Sequence, residues 1–390
     1  MFKIIISGGG TGGHVFPAIA IANALKAKVR DIDILFIGAK GRMEMEKVPA
    51  AGYRIEGLTI SGFQRRLTLK NLSFPFKLMR SMLKARKIIS AFKPDVVVGV
   101  GGYASGPTLR IATEKKIPTL IQEQNSFPGV TNRLLGKKVD KICVAYPDLE
   151  KYFPEEKLVM TGNPIRQDLV NLGGKEKEGR DYFGLQETGK TVLVIGGSLG
   201  AGTINKAIKN WVTKGSGLEN IQLLWQTGKY YHEEIKARLS DSDSQQRTAK
   251  CKILPFIDRM DLAYAVADLI VSRAGAIAIS ELCMVGKPVI LIPSPNVAED
   301  HQTKNAEVLV SRKAALMVKD SEAEYTLADK IVALLSDQVL QHELYQNIRN
   351  MAVPDAAGNI AEEVLKLIPK KIMEDIRNSN PERGGLADGH

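Results

Sequence analysis

The chain has 390 residues, too many for one ordinary core and suited to two domains of about 150–200 residues. Hydrophobic residues make up 44% and charged residues 25%, a globular composition, and no apolar run reaches the roughly 18–20 residues that span a bilayer. The net charge of +11 is unevenly placed: residues 1–163 carry 26 Lys/Arg against 13 Asp/Glu and the remainder 28 against 30, so the first half suits an anionic partner.

The opening Met1-Phe2-Lys3-Ile4-Ile5-Ile6 is too short for a signal-peptide core and runs into a Gly loop. Lys3–Ser7 reads as a strand, followed by that loop and a helix over Pro17–Leu25. Strands are then expected at Ile32–Ile37, Val96–Val100, Thr119–Gln122 and Lys141–Val144, each β-branched-rich and followed by turn or helix signals. The pattern restarts at Thr191–Ile195, with a Gly loop and a helix from about Thr203. Ile221–Trp225, Lys252–Leu254, Leu269–Ser272 and Pro288–Ile292 continue it. The alternation predicts two α/β, Rossmann-like domains with parallel sheets, joined near Gly162-Asn163-Pro164, where Asn-Pro favours a turn. The expected bounds are 1–163 and 164–353, with a helix at about 354–368 packing back on the first domain. Gly173–Gly179 reads as a surface loop and 369–390 as a disordered tail. Cys143, Cys251 and Cys283 lack metal-ligand spacing and read as buried small hydrophobes in a reducing compartment.

Several loops carry chemistry. Gly8-Gly9-Gly10-Thr11-Gly12-Gly13-His14 follows a strand and opens a helix, where glycines let phosphate approach and unpaired N–H groups favour anions. Dinucleotide binding would want an acid at the end of the second strand, but that strand ends Phe36-Ile37-Gly38-Ala39-Lys40. His14, at the helix start, is disfavoured as imidazolium and suits a general base. Gly196–Gly202, with the Ser198 hydroxyl, forms a second phosphate cradle. Gly101-Gly102-Tyr103-Ala104-Ser105-Gly106-Pro107 is a third Gly loop on the same sheet edge as the first, suited to a phosphate-bearing acceptor. Glu281, early in a helix after the strand Leu269–Ser272, suits the two hydroxyls of a ribose. Gln302, in a polar cluster opening a helix, suits a sugar hydroxyl. Between Glu56 and Asp95 stand nine Lys/Arg and no acid. Leu67–Ile89, with Lys70, Phe74, Phe76, Lys77 and Arg80, therefore reads equally as a membrane-facing segment or as a helix with a solvated basic face.

Together these motifs resemble the MurG family, the bacterial peptidoglycan N-acetylglucosaminyltransferases of the GT-B fold. The resemblance covers about residues 1–368. It is carried by Gly9-Gly10-Thr11-Gly12-Gly13-His14-Val15-Phe16-Pro17, Gly101–Pro107, Glu123-Gln124-Asn125, Gly162-Asn163-Pro164-Ile165-Arg166, Gly196–Ala201, Phe256-Ile257-Asp258 and Ser280-Glu281. It implies two Rossmann-like domains facing a cleft and transfer of N-acetylglucosamine from UDP-N-acetylglucosamine to lipid I, an undecaprenyl-diphosphate-linked muramoyl-pentapeptide. Thr11, Gly12, Gly13 and Asn125 would meet the donor sugar or its phosphates, and Arg166 and Ser198 the diphosphate. Ile257 would meet uracil. Ala276, Ile277, Ala278, Ile279, Ser280 and Glu281 would border the nucleotide, and Gln302 would hold sugar hydroxyls. Gly102 and Tyr103 would face the acceptor. His14 is the candidate base and Glu123 its rival. The resemblance further implies a peripheral place on the cytoplasmic face of the inner membrane, an anionic membrane surface and other cell-wall enzymes as partners, no nucleic acid, and no cofactor or metal. The chain departs from the family at Gln122, often His, and at Leu199 and His301, often Gln. The alternatives from other classes are a UDP-N-acetylglucosamine 2-epimerase, a glycolipid synthase, and a non-catalytic nucleotide-sugar sensor.

Overall fold

The computed structural model describes residues 1–60, 74–166, 169, 172–197, 199–215, 217–239 and 250–368. Ser198, Lys70 and the tail from 369 lie outside the described residues, as do residues 67–73 of the basic segment and the Phe74 side chain. The chain divides into two compact units, Met1–Ile165 with Asp355–His390, and Arg166–Pro354.

In the first unit the strands are β1 (Phe2–Ser7), β2 (Ile32–Ala39), β3 (Arg54–Leu58), β4 (Val96–Gly99), β5 (Thr119–Glu123), β6 (Lys141–Val144) and β7 (Leu158–Met160). They form one seven-stranded sheet in the order β3-β2-β1-β4-β5-β6-β7, and every pairing is parallel. Both faces are covered, which is why the strands read as unbroken apolar runs. Ile4 and Ile6 enter a cluster with Val15, Ile21 and Leu25 of the helix Gly12–Lys28. Ile5, between them, enters another with Ala85 and Leu109 on the opposite face. The helix Ala356–Lys366 returns to the first cluster through Ile360, Ala361 and Val364. Lys28 donates to Glu362 at 2.9 Å, and the Asp355 carboxylate caps the helix start by accepting from the Gly358 N–H at 3.1 Å.

The second unit repeats the plan with β8 (Lys190–Ile195), β9 (Ile221–Gln226), β10 (Cys251–Leu254), β11 (Leu269–Ser272), β12 (Val289–Leu291) and β13 (Leu316–Met317). They form a six-stranded sheet in the order β10-β9-β8-β11-β12-β13, all parallel. In each unit the winding reverses beside the first strand, between β1 and β4 and between β8 and β11. The loops leaving those strands are where open α/β sheets take ligands.

Three strands escape the sequence reading, β3, β7 and β13, and each closes an edge of its sheet. Edge strands are partly solvated, so their runs are short or mixed, as in Arg54-Ile55-Glu56-Gly57-Leu58. The expected loop Gly173–Gly179 needs correction: Glu176–Phe183 is a helix. Gly179 lies inside it because a Cβ there would stand 2.6 Å from Val266 Cγ1 and 2.8 Å from the Leu262 carbonyl. That glycine marks close helix packing rather than a turn. The cysteines are unbridged, Cys143 and Cys283 buried and Cys251 half-buried, and burial pushes all three thiols up to about 12.

Candidate active site

In the first unit the loops after β1 and β4 interlock. Gly9 and Gly10 hold φ of +150° and +90°, and Gly101 and Gly102 hold +93° and +83°. A Cβ on Gly102 would sit 2.2 Å from the Gly9 carbonyl oxygen, so the two loops touch backbone to backbone. The helix Gly12–Lys28 starts from an extended Thr11, at φ −144° and ψ 159°. Thr11 Oγ1 lies 3.1 Å from His14 Nδ1, so the cap residue orients the imidazole. The other ring edge turns toward the third loop: a Cβ on Gly101 would stand 2.7 Å from His14 Cδ2 and 2.8 Å from Nε2. His14 and the third Gly loop, 87 positions apart in sequence, are thus brought together.

Glu44 is a residue that the sequence reading missed. It is 1% exposed. Its carboxylate accepts from the Gly10 N–H at 2.9 Å and from the Ala39 N–H at 3.0 Å. Gly9 and Gly38 make room for it, since a Cβ on either would fall within 2.6 Å of its side chain. An acid therefore does stand at the end of β2, supplied by the helix Glu44–Ala50, and backbone amides engage both its oxygens. Gly9, after β1, and Gly38, near the end of β2, were the available signal, but their convergence on Glu44 depends on β1 lying beside β2.

Glu123, at the end of β5, is buried. One oxygen accepts from the Asn125 N–H at 3.0 Å and Asn125 Nδ2 at 3.2 Å. The other accepts from the Gly129 N–H at 3.2 Å and Asn132 Nδ2 at 2.8 Å. Both oxygens are thereby committed to shaping the 125–129 loop. Gln122, a departure from the resembled family, is a buried amide whose Nε2 donates to Asn163 Oδ1 at 2.9 Å. Asn163 Nδ2 donates in turn to the Gln124 carbonyl at 3.0 Å. Tyr103 is 46% exposed. In the helix Phe74–Phe92, Ala85 and Ile89 face the core, while Phe76, Met79 and Leu83 are exposed on another face. Arg80 is exposed and Lys77 half-buried. Lys84 turns inward to the Gly57 carbonyl and Glu56, and Arg86 pairs with Glu114.

In the second unit the loop after β8 rests on the loop after β9. Gly200 has φ +80°, and a Cβ on it would meet the Thr227 carbonyl at 2.0 Å. The helix Gly202–Lys214 begins there, aiming its unpaired N–H groups at the loop. Gln226, also missed from sequence, couples this loop to the Phe256–Asp258 segment. Its Nε2 donates to the Gly197 carbonyl at 2.9 Å, and its Oε1 accepts from the Ile257 N–H at 2.9 Å. The Ile257 side chain is buried. Leu199 is exposed.

The helix Ala276–Val285 follows β11 with Gly275 as its extended cap. Ala276, Ile277, Ala278 and Ser280 are half-buried at its start, but Ile279 points into the core, so only its backbone can border a ligand. Ser280 Oγ donates to the Ala276 carbonyl at 3.1 Å. Glu281 accepts from Arg166 Nε at 3.1 Å and Nη2 at 3.2 Å, and from the Tyr264 hydroxyl at 3.2 Å. Tyr264 is fully buried, and burial, then the adjoining Glu281 charge, raise its pKa well above the ordinary phenol value. Gln302 Oε1 accepts from the Ser294 N–H at 2.8 Å. His301 Nε2 lies 3.2 Å from Glu299. Among the described residues no group of three or more His, Cys, Asp and Glu is arranged to hold a metal ion.

Two doubly wound α/β units, each with Gly loops at its sheet's switch point, define the GT-B architecture of nucleotide-sugar enzymes. The chain belongs to glycosyltransferase family 28: the family's N-terminal domain matches residues 4–144 and its C-terminal domain residues 191–364. It is 52% identical over 370 residues to a Flavobacterium psychrophilum protein, covering 94% of this chain and 98% of that one. It is 54% identical over 369 residues to one from Cytophaga hutchinsonii, covering 94% and 97%. Both are named UDP-N-acetylglucosamine--N-acetylmuramyl-(pentapeptide) pyrophosphoryl-undecaprenol N-acetylglucosamine transferase. A crystal structure of Acinetobacter baumannii MurG superposes with a TM-score of 0.76 at 28% identity, over 94% of this chain and all of that one. A UDP-GlcNAc 2-epimerase from Neisseria meningitidis shares the fold, with a TM-score of 0.63 at 15% identity over 94% of this chain and 100% of that one.

Proposed function

We infer that this chain transfers N-acetylglucosamine from UDP-N-acetylglucosamine to the 4-hydroxyl of the muramoyl sugar of lipid I, giving lipid II with inversion at the anomeric carbon. The observation that carries the reading is the 52–54% identity to transferases of this name across both domains. The muramoyl hydroxyl attacks the anomeric carbon in line with departing UDP. His14 takes its proton. Thr11 Oγ1, 3.1 Å from Nδ1, orients the ring, and the tautomer protonated at Nδ1 presents Nε2 to the muramoyl hydroxyl. The engagement of both Glu123 oxygens makes it the residue that shapes the Asn125 loop, which favours His14 over Glu123 as the base.

UDP leaves as a weakly basic diphosphate, so charge stabilisation matters more than a proton donor. The loop Gly196–Gly202, Ser198, the start of the helix Gly202–Lys214 and Arg166 supply it. Glu281 takes the ribose hydroxyls, and the Ile257 backbone faces uracil. Thr11, Gly12, Gly13, Asn125 and Gln302 serve the donor sugar and its phosphates, and Gly102 and Tyr103 the acceptor. No helix among the described residues is long and apolar enough to cross a membrane. The exposed Phe76, Met79 and Leu83, beside Lys77 and Arg80, support peripheral contact with an anionic inner-leaflet surface, where other cell-wall enzymes work on the same lipid.

The test is transfer of labelled N-acetylglucosamine to a short-chain lipid I analogue, with UDP release followed in parallel. Acceptor-dependent β-linked disaccharide supports the reading. UDP release or epimerisation without transfer moves the chain to the 2-epimerase class. Binding without turnover makes it a sensor.

A further inference from the structure

Glu281 and Arg166 hold each other. Glu281 already accepts three hydrogen bonds, two from the Arg166 fork at 3.1 and 3.2 Å and one from Tyr264 at 3.2 Å. A carboxylate offers about four acceptor sites, so a ribose diol, which brings two donors, does not fit beside all three. Tyr264 is fully buried and stays in place. The Arg166 side chain is 44% exposed against 11% for Glu281, so Arg166 is the partner able to leave.

We propose that Arg166 competes with the ribose diol for Glu281, and that a diphosphate on the same ligand draws it off, so the pair screens nucleoside diphosphates from nucleosides. The proposal rests on the nucleotide site inferred above. The physical logic is an exchange of partners. A nucleoside replaces two charge-assisted bonds on Glu281 with neutral hydroxyl donors and offers the guanidinium no anion in exchange. A nucleoside diphosphate gives the carboxylate its diol and gives the fork two phosphate oxygens, geometry that suits Arg and not Lys. Tyr264 is then a positioning residue, holding Glu281 at one oxygen while the other donors change.

The test is calorimetric titration of the full chain with uridine and with UDP. In Arg166→Gln the competitor and the phosphate partner disappear together. Uridine affinity should rise about three- to tenfold and UDP affinity fall about ten- to hundredfold, from charge-assisted bonds gained and lost. Arg166→Lys should keep part of the UDP affinity while still raising that of uridine. Tyr264→Phe should weaken both ligands by the same factor. Salt gives a reading without a variant: on the wild-type chain, raising ionic strength should weaken UDP binding and leave uridine unchanged or tighter. Uridine affinity that falls with, or is untouched by, loss of the arginine overturns the exchange and leaves the nucleotide site standing. Failure of the wild-type chain to bind UDP overturns the site and the exchange together.

Discussion

Gly10→Ala and Gly101→Ala test the placement of His14 with matched backbone strain. Gly10 and Gly101 have φ of +90° and +93°, so an alanine at either carries about 1–2 kcal/mol of left-handed strain. Their surroundings differ. A Cβ on Gly10 meets nothing within 4 Å, whereas one on Gly101 lies 2.7 Å from His14 Cδ2 and 2.8 Å from Nε2. Relaxed contacts between such atoms need about 3.5–4.0 Å, so the overlap is about 1 Å. The ring is the part that yields, swinging away from Thr11 and from its catalytic position. Misplacing a reacting group by about 1 Å costs on the order of 10²-fold in rate, about 2.7 kcal/mol. The assay pairs urea unfolding with kcat for transfer to the lipid I analogue. Both variants should lose similar stability, and only Gly101→Ala should lose about 100-fold in kcat. Equal kcat losses, or a Gly101→Ala rate within about threefold of wild type, would refute the placement of His14 as the base.

Glu44→Ala leaves the Gly10 and Ala39 N–H groups without the carboxylate they now share, so urea unfolding should show a loss of about 3–5 kcal/mol. Glu44→Gln, which keeps one acceptor, should lose about half of that, and an unchanged midpoint in both would remove Glu44 from the loop's support. Serine at both Phe76 and Leu83, which are 72% and 64% exposed, should lower partition onto anionic vesicles about thirtyfold, at about 1 kcal/mol for each side chain. Undiminished co-sedimentation would make that face merely solvated. Asp261 accepts from Arg259 and from Lys175, and the Arg259 bonds foremost hold its carboxyl below the usual carboxylate range. A depressed folded pKa means that this stabilisation is complete above the unfolded value of about 3.9 and fades as pH falls below it. The stability gap between wild type and Asp261→Asn should therefore narrow as pH falls from about 4 toward 2; a gap independent of pH would show that the charge is not what the site uses.

The local chemistry of this chain was legible before any coordinates. Central strands such as Ile4-Ile5-Ile6 and Val96-Val97-Val98 are buried on both faces and read as apolar runs. The Gly loops at 8–13, 101–106 and 196–202 announce themselves because positive φ and close backbone approach demand glycine at particular positions. The edge strands β3, β7 and β13 were not legible, because half-solvated runs carry little pattern. Nor was the helix Glu176–Phe183, whose Gly179 serves packing against a helix more than 80 residues further on.

What the sequence determined by itself was the alternation of strands, loops and helices, and with it the residue types offered at each strand end: His14 beside glycines, Glu281 in an early helical turn, a carboxylate before Asn125. What only the tertiary structure decided was the partner of each. Glu44 reaches Gly10 because β2 lies beside β1. The third Gly loop reaches His14 because β4 lies on β1's other side. Gln226 joins Gly197 to Ile257 because β9 lies between β8 and β10, and Arg166 and Tyr264 converge on Glu281 across 115 and 17 residues of chain. Strand order is a long-range outcome of covering two faces of one sheet, and a buried carboxylate takes whichever donors that order brings within about 3 Å; neither is written in the residues flanking it.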